Sequence, residues 1–243
     1  MTAIAVCLDP LAGIVFGSDG SSQDTQGRYM GPVGKTILMP EFGAMLMWRG
    51  MGLFGHMLRL KMAIEPGQIV GFDDLRRELP ALSRQMLDEA APAFAEPQSV
   101  AVVLGGWSAE RQRFEVVRFG SHERQIGGEG ALTVKPWEVI DLPRGWVAPG
   151  PTSEGRARIG VDLDASLSGA AWCTAAICAA RQSIDPAGSP DDECVVGAYI
   201  QITTLTPGRV ASEIVHTWPD VVGERIDRDR GEMAPSFLKE SVP

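Results

Sequence analysis

The sequence predicts an α+β protein, a four-layer αββα sandwich in which two antiparallel sheets are flanked by helices. Two observations predict this class. Short apolar strand runs follow one another through turns rich in Gly, Pro and Asp, which is typical of antiparallel pairing. Helical patterns arrive in blocks and do not alternate with the strands, which argues against βαβ units around a parallel sheet. No internal repeat at a fixed short period is visible.

Strands dominate the first part of the chain. Residues 2–8 and 14–19 form two apolar runs around a turn rich in Asp, Pro and Gly, which predicts a hairpin. A polar, Gly-rich loop over 20–34 follows, and strands are predicted over 35–39 and 44–49. These runs are mostly apolar on both faces, as expected of a sheet that is covered on both sides.

Three segments carry a helical pattern. Apolar residues recur at three- and four-residue spacing over 53–64 and over about 73–94. Pro80 lies inside the second segment and must either begin the main helix or kink it. The third predicted helix covers 164 to about 184 and is rich in small and apolar residues.

The remaining strands lie on both sides of the third predicted helix. We treat 1–218 as a single domain. The charged and irregular tail over 219–243 either docks on a neighbouring subunit or stays untethered. The predicted strands are 100–107 and 114–119, which form a hairpin, 137–142 and 146–148, which are short, and 195–205 and 209–218, which form the last hairpin.

Composition narrows the classes of function. The 243 residues carry a net charge of −9 at pH 7, which argues against a nucleic-acid binder. No apolar run is long enough to span a bilayer, so no membrane partner is expected. The four cysteines include no Cys-x-x-Cys pair and the three histidines are scattered, which predicts reduced thiols, no metal site and a cytoplasmic protein. The first strand begins at residue 2, so we expect no signal or transit peptide.

Three polar residues lie at the ends of predicted strands. Thr2 begins the first strand, Asp19 closes the second and Lys35 opens the third, so in a meander these ends can meet at one sheet edge. A start methionine followed by a small residue is generally removed, and we expect a mature chain that begins with Thr2. The free α-amine and the hydroxyl of such a residue lie on adjacent carbons and form a nucleophile-and-base unit.

In this pattern the chain resembles the N-terminal threonine hydrolases of the proteasome β-subunit superfamily. These are N-terminal nucleophile (Ntn) hydrolases and include the bacterial HslV and Anbu branches. The family has a Thr at the mature N-terminus, an Asp ending the second strand, a Lys opening the third and a Gly after the fourth. The matching positions are Thr2, Asp19, Lys35 and Gly50. Asp19 and Lys35 keep the usual spacing, and one extra residue in the turn over 9–13 accounts for their greater separation from Thr2.

The resemblance implies an activity and a set of roles. It implies a peptidase-like amide hydrolase that forms an acyl-enzyme on Thr2, acts on peptide or unfolded-protein substrates within a homo-oligomeric ring, and needs no metal or cofactor. An ATPase partner is left open. Lys35 would oppose protonation of the Thr2 amine, and Asp19 would keep Lys35 charged and in place. The implied substrate-binding residues are Gly50, whose amide would face the oxyanion, Ser21 and Ser22, which would border the groove, and Trp48, which would wall the first specificity pocket.

Departures from the family pattern keep two other functions open. Ser21 stands where the family commonly has an Arg, and Pro151 stands where a Gly-Ser-Gly segment normally supplies a serine. Neither 185–189 nor 192–197 matches the Asp-x-x-Ser-Gly motif that should follow the last helix. One alternative is therefore a non-catalytic ring or scaffold subunit with the same fold. The other is a non-peptidase amidase on that fold.

Overall fold

A computed structural model describes residues 3–24, 26–64, 69–94, 98–126, 132–163, 167–183 and 196–240. The strands within these ranges are β1 (Ile4–Asp9), β2 (Gly13–Asp19), β3 (Ser21–Gln23), β4 (Tyr29–Pro32), β5 (Thr36–Met39), β6 (Ala44–Gly50), β7 (Val100–Ser108), β8 (Arg113–Gly120), β9 (Arg124–Ile126), β10 (Leu132–Val134), β11 (Ile140–Asp141), β12 (Gly145–Ala148), β13 (Tyr199–Thr206) and β14 (Arg209–Thr217). The helices are α1 (Phe54–Ile64), α2 (Phe72–Ala90), α3 (Ser153–Ile159), α4 (Gly169–Gln182) and α5 (Phe237–Glu240).

The described residues divide into two units, and each has its own antiparallel sheet. The first unit comprises the described parts of Met1–Asp9, Gly13–Lys35 and Arg144–Pro243. Its main sheet has the strand order β12-β1-β2-β13-β14, and β3 and β4 form a small separate sheet. Strand β2 therefore has a hydrogen-bonded neighbour on each side, β1 and β13, and its last residue is held from both.

Helix α4 packs on β1 and β2 of the first unit. A glycine at the centre of β2 permits this close approach, because a Cβ at Gly17 would lie 2.8 Å from Ile177 Cδ1 and 3.0 Å from Cys173 Cβ. Apolar side chains of the helix and the two strands form the buried core of this unit. The core thus supports the strand that ends at Asp19.

The second unit comprises Pro10–Ala12 and the described parts of Thr36–Pro143. Its main sheet has the order β11-β8-β7-β6-β5, and β9 and β10 form a separate pair. Helices α1 and α2 cover this sheet, and their apolar faces form its core. Close packing requires a glycine in β7, since a Cβ at Gly106 would lie 2.4 Å from the Phe72 ring.

Most predicted elements are confirmed with shifted boundaries. The predicted helix over 53–64 is α1, and the helix predicted over 73–94 is α2, which contains Pro80 in its interior. The four strands predicted before residue 50 and both long hairpins are present. The strand predicted over 137–142 is confined to β11, and Trp137 has a left-handed backbone with a φ of 66°.

Two predicted starts in the first unit were wrong. The helix predicted from 164 begins at Gly169, because the Ser168 hydroxyl caps it by accepting a hydrogen bond from Ala171 N at 3.3 Å; residues 164–166 lie outside the described ranges. The strand predicted from 195 begins at Tyr199, after Ala198 adopts a φ of 64° that no strand allows.

Several short elements were not predicted. Helix α3 falls in a stretch to which no element was assigned, and its Thr152 cap accepts a hydrogen bond from Gly155 N at 3.0 Å. The loop predicted over 20–34 contains the β3–β4 pair, and β9 and β10 form a further short pair. Such elements are too short for a periodic apolar pattern to identify them.

The described part of the predicted tail packs on the first unit of its own chain. Leu238 is fully buried, and Asp220 forms an ion pair with the fully buried Arg181. The indole nitrogen of Trp218 donates to the carbonyl of Glu232 at 3.1 Å, which fixes the returning segment. The segment over 220–238 is therefore tethered, contrary to one of the two alternatives expected for it. The single-domain assignment of 1–218 stays a prediction.

Candidate active site

Asp19 ends β2 beside the first described residue of the chain. Its backbone amide donates to the Ala3 carbonyl at 3.2 Å. The Ala3 amide in turn donates to Asp19 Oδ1 at 2.9 Å. Because β2 lies between β1 and β13, the main chain of Asp19 is fixed by the sheet on both sides. This carboxylate is therefore anchored directly against the start of the first strand.

The Asp19 carboxylate is completely buried and accepts five hydrogen bonds from the residues that the structure describes. Its Oδ1 accepts from Ala3 N and from Lys35 Nζ, the latter at 3.1 Å. Its Oδ2 accepts from the Ser21 amide at 3.1 Å, the Ser21 hydroxyl at 2.6 Å and the Gly197 amide at 3.2 Å. A buried carboxylate needs such compensation for its lost hydration, and here both oxygens are supplied with donors. Its position and orientation are consequently well defined.

Lys35 is the charged partner of Asp19. The residue is only 5% exposed, and its ammonium lies 3.1 Å from Asp19 Oδ1. An ion pair in such a buried place is screened much less by water and salt than a surface pair. The structure thus brings together two of the three predicted catalytic residues. Thr2, the third, lies outside the described residues, but it is joined by a peptide bond to Ala3.

Ser21 is buried against the Asp19 carboxylate, and its predicted place beside a substrate groove stays a prediction. It is 2% exposed, and both its amide and its hydroxyl donate to Asp19 Oδ2. An Asp side chain commonly bonds the backbone two residues further along in this way, so the Asp-x-Ser spacing is a signal that could have predicted the contact. Ser22 pairs with Gly31 in the β3–β4 sheet and is partly exposed, and its substrate-binding role stays a prediction.

Gly197 is a site residue that the sequence did not predict. Its amide reaches Asp19 Oδ2 across 178 positions of sequence. Gly197 ends the poorly matching segment 192–197 and falls within the strand predicted over 195–205, and neither pattern indicates a contact with Asp19. No Cβ fits there, because it would lie 2.5 Å from Asp220 Oδ2 and 3.1 Å from Arg181 Nη1. The sequence carries no local signal for this contact.

Trp48 is buried in the core of the second unit. Its side chain is 1% exposed, and its indole nitrogen donates to the Met51 carbonyl at 3.1 Å. The ring packs so closely on α1 that a Cβ at Gly55 would lie 2.4 Å from it. The predicted role of Trp48 as the wall of a specificity pocket stays a prediction.

Gly50, also in the second unit, ends β6 with a φ of 102°. A Cβ at this position would lie 2.0 Å from the Ser99 carbonyl oxygen, so both conformation and space require glycine. The predicted role of its amide at the oxyanion stays a prediction.

The pKa of the Tyr199 phenol, two residues after Gly197, is shifted by burial and by nearby charge. Burial, together with the negative charge of Asp19 and with Tyr29, raises the pKa of the Tyr199 phenol above its ordinary value. The phenol is consequently a neutral hydrogen-bond donor at physiological pH. It donates to the Val33 carbonyl at 3.0 Å.

Two further features of the described residues bear on function. Among them, His, Cys, Asp and Glu side chains do not gather in any group of three or more that could hold a metal ion. None of the helices in the described ranges combines the length and the apolar character needed to cross a membrane.

The fold and the buried Asp–Lys pair define an α+β protein with a polar centre at the start of its first strand. Solved structures of Anbu proteins share this fold. Anbu (ancestral beta-subunit) from Yersinia bercovieri is similar with a TM-score of 0.57 and 11% identity, over 89% of this chain and 87% of that one. Anbu from Hyphomicrobium sp. strain MC1 gives 0.56 and 12%, over 89% and 88%, and its Gly-1 mutant gives 0.56 and 13%, over 88% and 87%.

These neighbours confirm the predicted fold class and, at the level of fold, the resemblance to the HslV and Anbu branch. No protein-family model matches the sequence. No curated protein is significantly similar to it in sequence. With 11–13% identity the structural likeness establishes the fold alone.

Proposed function

We propose that the protein is a proteasome-like threonine hydrolase that cleaves peptide amide bonds through an acyl-enzyme on Thr2. The observation that carries the proposal is the buried Asp19–Lys35 pair, hydrogen-bonded to the amide of Ala3. This pair costs desolvation energy and contributes little net stability, so a chemical use accounts for it better than a structural one. The nucleophile that the pair would serve is the residue joined to Ala3.

The first half-reaction uses the two functional groups of Thr2 after Met1 has been removed. The hydroxyl oxygen attacks the substrate carbonyl carbon while the α-amine accepts the hydroxyl proton. The tetrahedral intermediate collapses to an ester on the Thr2 oxygen, and the leaving amine takes a proton from the ammonium. Water then attacks the ester with the same amine as base, which releases the carboxylate product and restores the hydroxyl.

Lys35 makes the amine an effective base. A free α-amine has a pKa of about 8, and a neighbouring positive charge disfavours its protonation. Lys35 can supply that charge near neutral pH because Asp19 stabilises its ammonium form at 3.1 Å. Ser21, by donating twice to Asp19 Oδ2, fixes the carboxylate that holds Lys35. Ser21 is a positioning residue in this scheme.

We also propose that the chain acts as a homo-oligomeric ring in the cytoplasm. The name of the structural neighbours, ancestral beta-subunit, describes them as subunits, which supports assembly of this chain. Light scattering coupled to size-exclusion chromatography tests it, since a solution mass equal to that of one chain contradicts a ring.

Covalent labelling tests the chemistry. A short peptide carrying an electrophile that bonds both a hydroxyl oxygen and an adjacent α-amine should label the purified protein once, on Thr2. Thr2→Ala and Lys35→Met should abolish or strongly slow labelling. Arg230→Met, which removes an exposed cation paired with Glu224, is the matched control and should label normally.

Intact mass and substrate cleavage together distinguish the proposed function from its two alternatives. Retention of Met1 would block the amine and leave the scaffold-subunit alternative. Labelling of Thr2 without cleavage of any peptide in a substrate library, but with cleavage of small non-peptide amides, would indicate the amidase.

A further inference from the structure

Lys35 reaches Asp19 because the segment between them folds back toward the end of β2. The chain leaves β2 after Asp19, β3 and β4 pair with each other, and Lys35 follows before β5 begins in the other sheet. The return is closed by a hydrogen bond from the Val33 amide to the Gly20 carbonyl at 2.7 Å. Gly20 follows Asp19 directly, and Val33 lies two residues before Lys35. This hydrogen bond therefore fixes the position of the Lys35 backbone, from which the side chain extends toward Asp19.

Tyr199 contacts both ends of this closure. Its hydroxyl donates to the Val33 carbonyl at 3.0 Å, and its backbone carbonyl accepts from the Gly20 amide at 2.9 Å. The ring lies on Gly20 so closely that a Cβ there would be 2.3 Å from its Cε1 atom. Tyr199 is the first residue of β13, and its main chain is fixed by the sheet. Tyr199 therefore connects the sheet to the segment that carries Lys35 through both its main chain and its side chain.

We propose that Tyr199 is a positioning residue of the active site, which places the Lys35 ammonium on Asp19 through its hydroxyl bond to Val33. This inference rests on the proposed function for its catalytic meaning, but the placement of Lys35 is a structural claim that can be tested alone. A lysine side chain has four rotatable bonds, so only a fixed backbone and a fixed acceptor hold its ammonium in one place. Asp19 is the acceptor, and Tyr199 holds the backbone.

The test compares two single-atom deletions in one buried cluster. Tyr199→Phe removes the hydroxyl that bonds Val33 and keeps the ring on Gly20. Tyr29→Phe is the matched control, because Tyr29 is the other tyrosine of the chain and packs in the same cluster. Lysine selectively labelled with 15N reports the result, since the chain has only four lysines and Lys35 is identified by the signal lost in Lys35→Met.

The proposal predicts that Tyr199→Phe disturbs the Lys35 ammonium and that Tyr29→Phe does not. In Tyr199→Phe the Lys35 ammonium signal should shift or broaden beyond detection, and labelling of Thr2 should slow by about tenfold, the effect of 1.4 kcal/mol on a barrier. In Tyr29→Phe both should match the wild type. Gly20→Ala, which drives the Tyr199 ring away, should disturb the same signal by an independent route.

Other outcomes overturn the proposal. An unchanged Lys35 signal in Tyr199→Phe would do so, as would an equal change in both tyrosine variants, which would report general loosening of the cluster. If the wild type is not labelled at Thr2, the proposed function fails. The comparison of the ammonium signals then still decides whether Tyr199 positions Lys35.

Discussion

Asp19 and Ala3 are joined by a reciprocal pair of hydrogen bonds, one from the Asp19 amide to the Ala3 carbonyl and one from the Ala3 amide to the Asp19 carboxylate. The first bond extends the pairing of β1 and β2 by one residue beyond Ile4 and Ser18. In the second bond the Asp19 carboxylate accepts from the Ala3 amide, a backbone donor that the pairing of the two strands does not use. The beginning of β1 is thereby fixed to the same carboxylate that binds Lys35, which couples the chain's start to the ion pair.

Removal of both partners of the Asp19–Lys35 pair should cost less stability than the sum of the two single removals. Asp19→Asn removes the negative charge beside a buried ammonium, and Lys35→Met removes the positive charge beside a buried carboxylate. Each should lower the free energy of unfolding by about 3–5 kcal/mol. The double variant should be clearly less destabilised than the sum of the two. Urea unfolding of the four proteins measures this.

Glu224→Gln is the control for that cycle. It removes the charge from an ion pair with Arg230 that is 2.9 Å long but half exposed, so it should cost less than about 1 kcal/mol. Simple additivity of the Asp19 and Lys35 substitutions would contradict the coupling.

Loss of Asp220 should release the C-terminal segment. Asp220 makes two bonds to Arg181, at 2.8 and 3.1 Å, and accepts from the Ala198 amide at 2.7 Å. Asp220→Ala removes the carboxylate that pairs with the fully buried Arg181 guanidinium, at a cost of about 3–5 kcal/mol. Hydrogen exchange over 220–238 should accelerate more than exchange in the second unit.

A surface carboxylate, Asp229, provides the comparison for the buried Asp220. Asp229 pairs with Arg158 but is 60% exposed, so Asp229→Ala should leave exchange over 220–238 almost unchanged. Equal acceleration in both variants would show that the segment is held by something other than the buried pair.

Gly50→Ala should destabilise the second unit, whatever the fate of the proposed activity. Its φ of 102° alone costs a residue with a Cβ about 1–3 kcal/mol, and the Ser99 carbonyl 2.0 Å from that Cβ adds to the cost. Gly52→Ala is the matched control, since no atom lies within 4 Å of its Cβ position. Comparable urea midpoints for the two variants would refute this account of Gly50.

The meeting of Asp19 and Lys35 could be predicted from the sequence. The sequence placed Asp19 and Lys35 at the ends of successive strand runs, and the two side chains do meet. The predicted reason was wrong, because β2 and β5 lie in different sheets and Lys35 precedes β5. The further donors to Asp19 could not be predicted, because Gly197 reaches it from a loop before β13, 178 positions away. Such a contact depends on the tertiary path of the chain, for which no local pattern exists.

The burial of Trp48 is a second feature that could not be predicted from the sequence. An aromatic residue near the end of a strand fits a pocket wall as well as a core, and the close approach of α1 buries this one. That approach depends on Gly55, whose missing Cβ admits the indole ring. The predicted start of helix α4 was wrong for a simpler reason. Residues before Ser168 continue the helical composition, whereas the Ser168 cap makes the helix begin at Gly169.

His216 should make stability fall in mildly acid solution. Burial is the largest cause that lowers the pKa of its imidazole below the ordinary 6.5, and the positive charge of Arg181 acts in the same direction, while Glu232 opposes both. Because the folded pKa lies below the unfolded value, the unfolded chain binds more protons once the pH drops below about 6.5. Stability is therefore complete above that pH and is lost progressively as the pH falls toward the folded pKa.

The measurement is the free energy of urea unfolding between about pH 5.5 and 8, the range in which histidine titrates. His216→Gln should lose less stability on acidification than the wild type, because the titrating group is gone. His122→Gln, at an exposed histidine, should retain the wild-type slope. If His216→Gln and the wild type show the same dependence on pH, the imidazole of His216 does not lose its proton on folding, and its burial next to Trp218 has no effect on the acid stability of the protein.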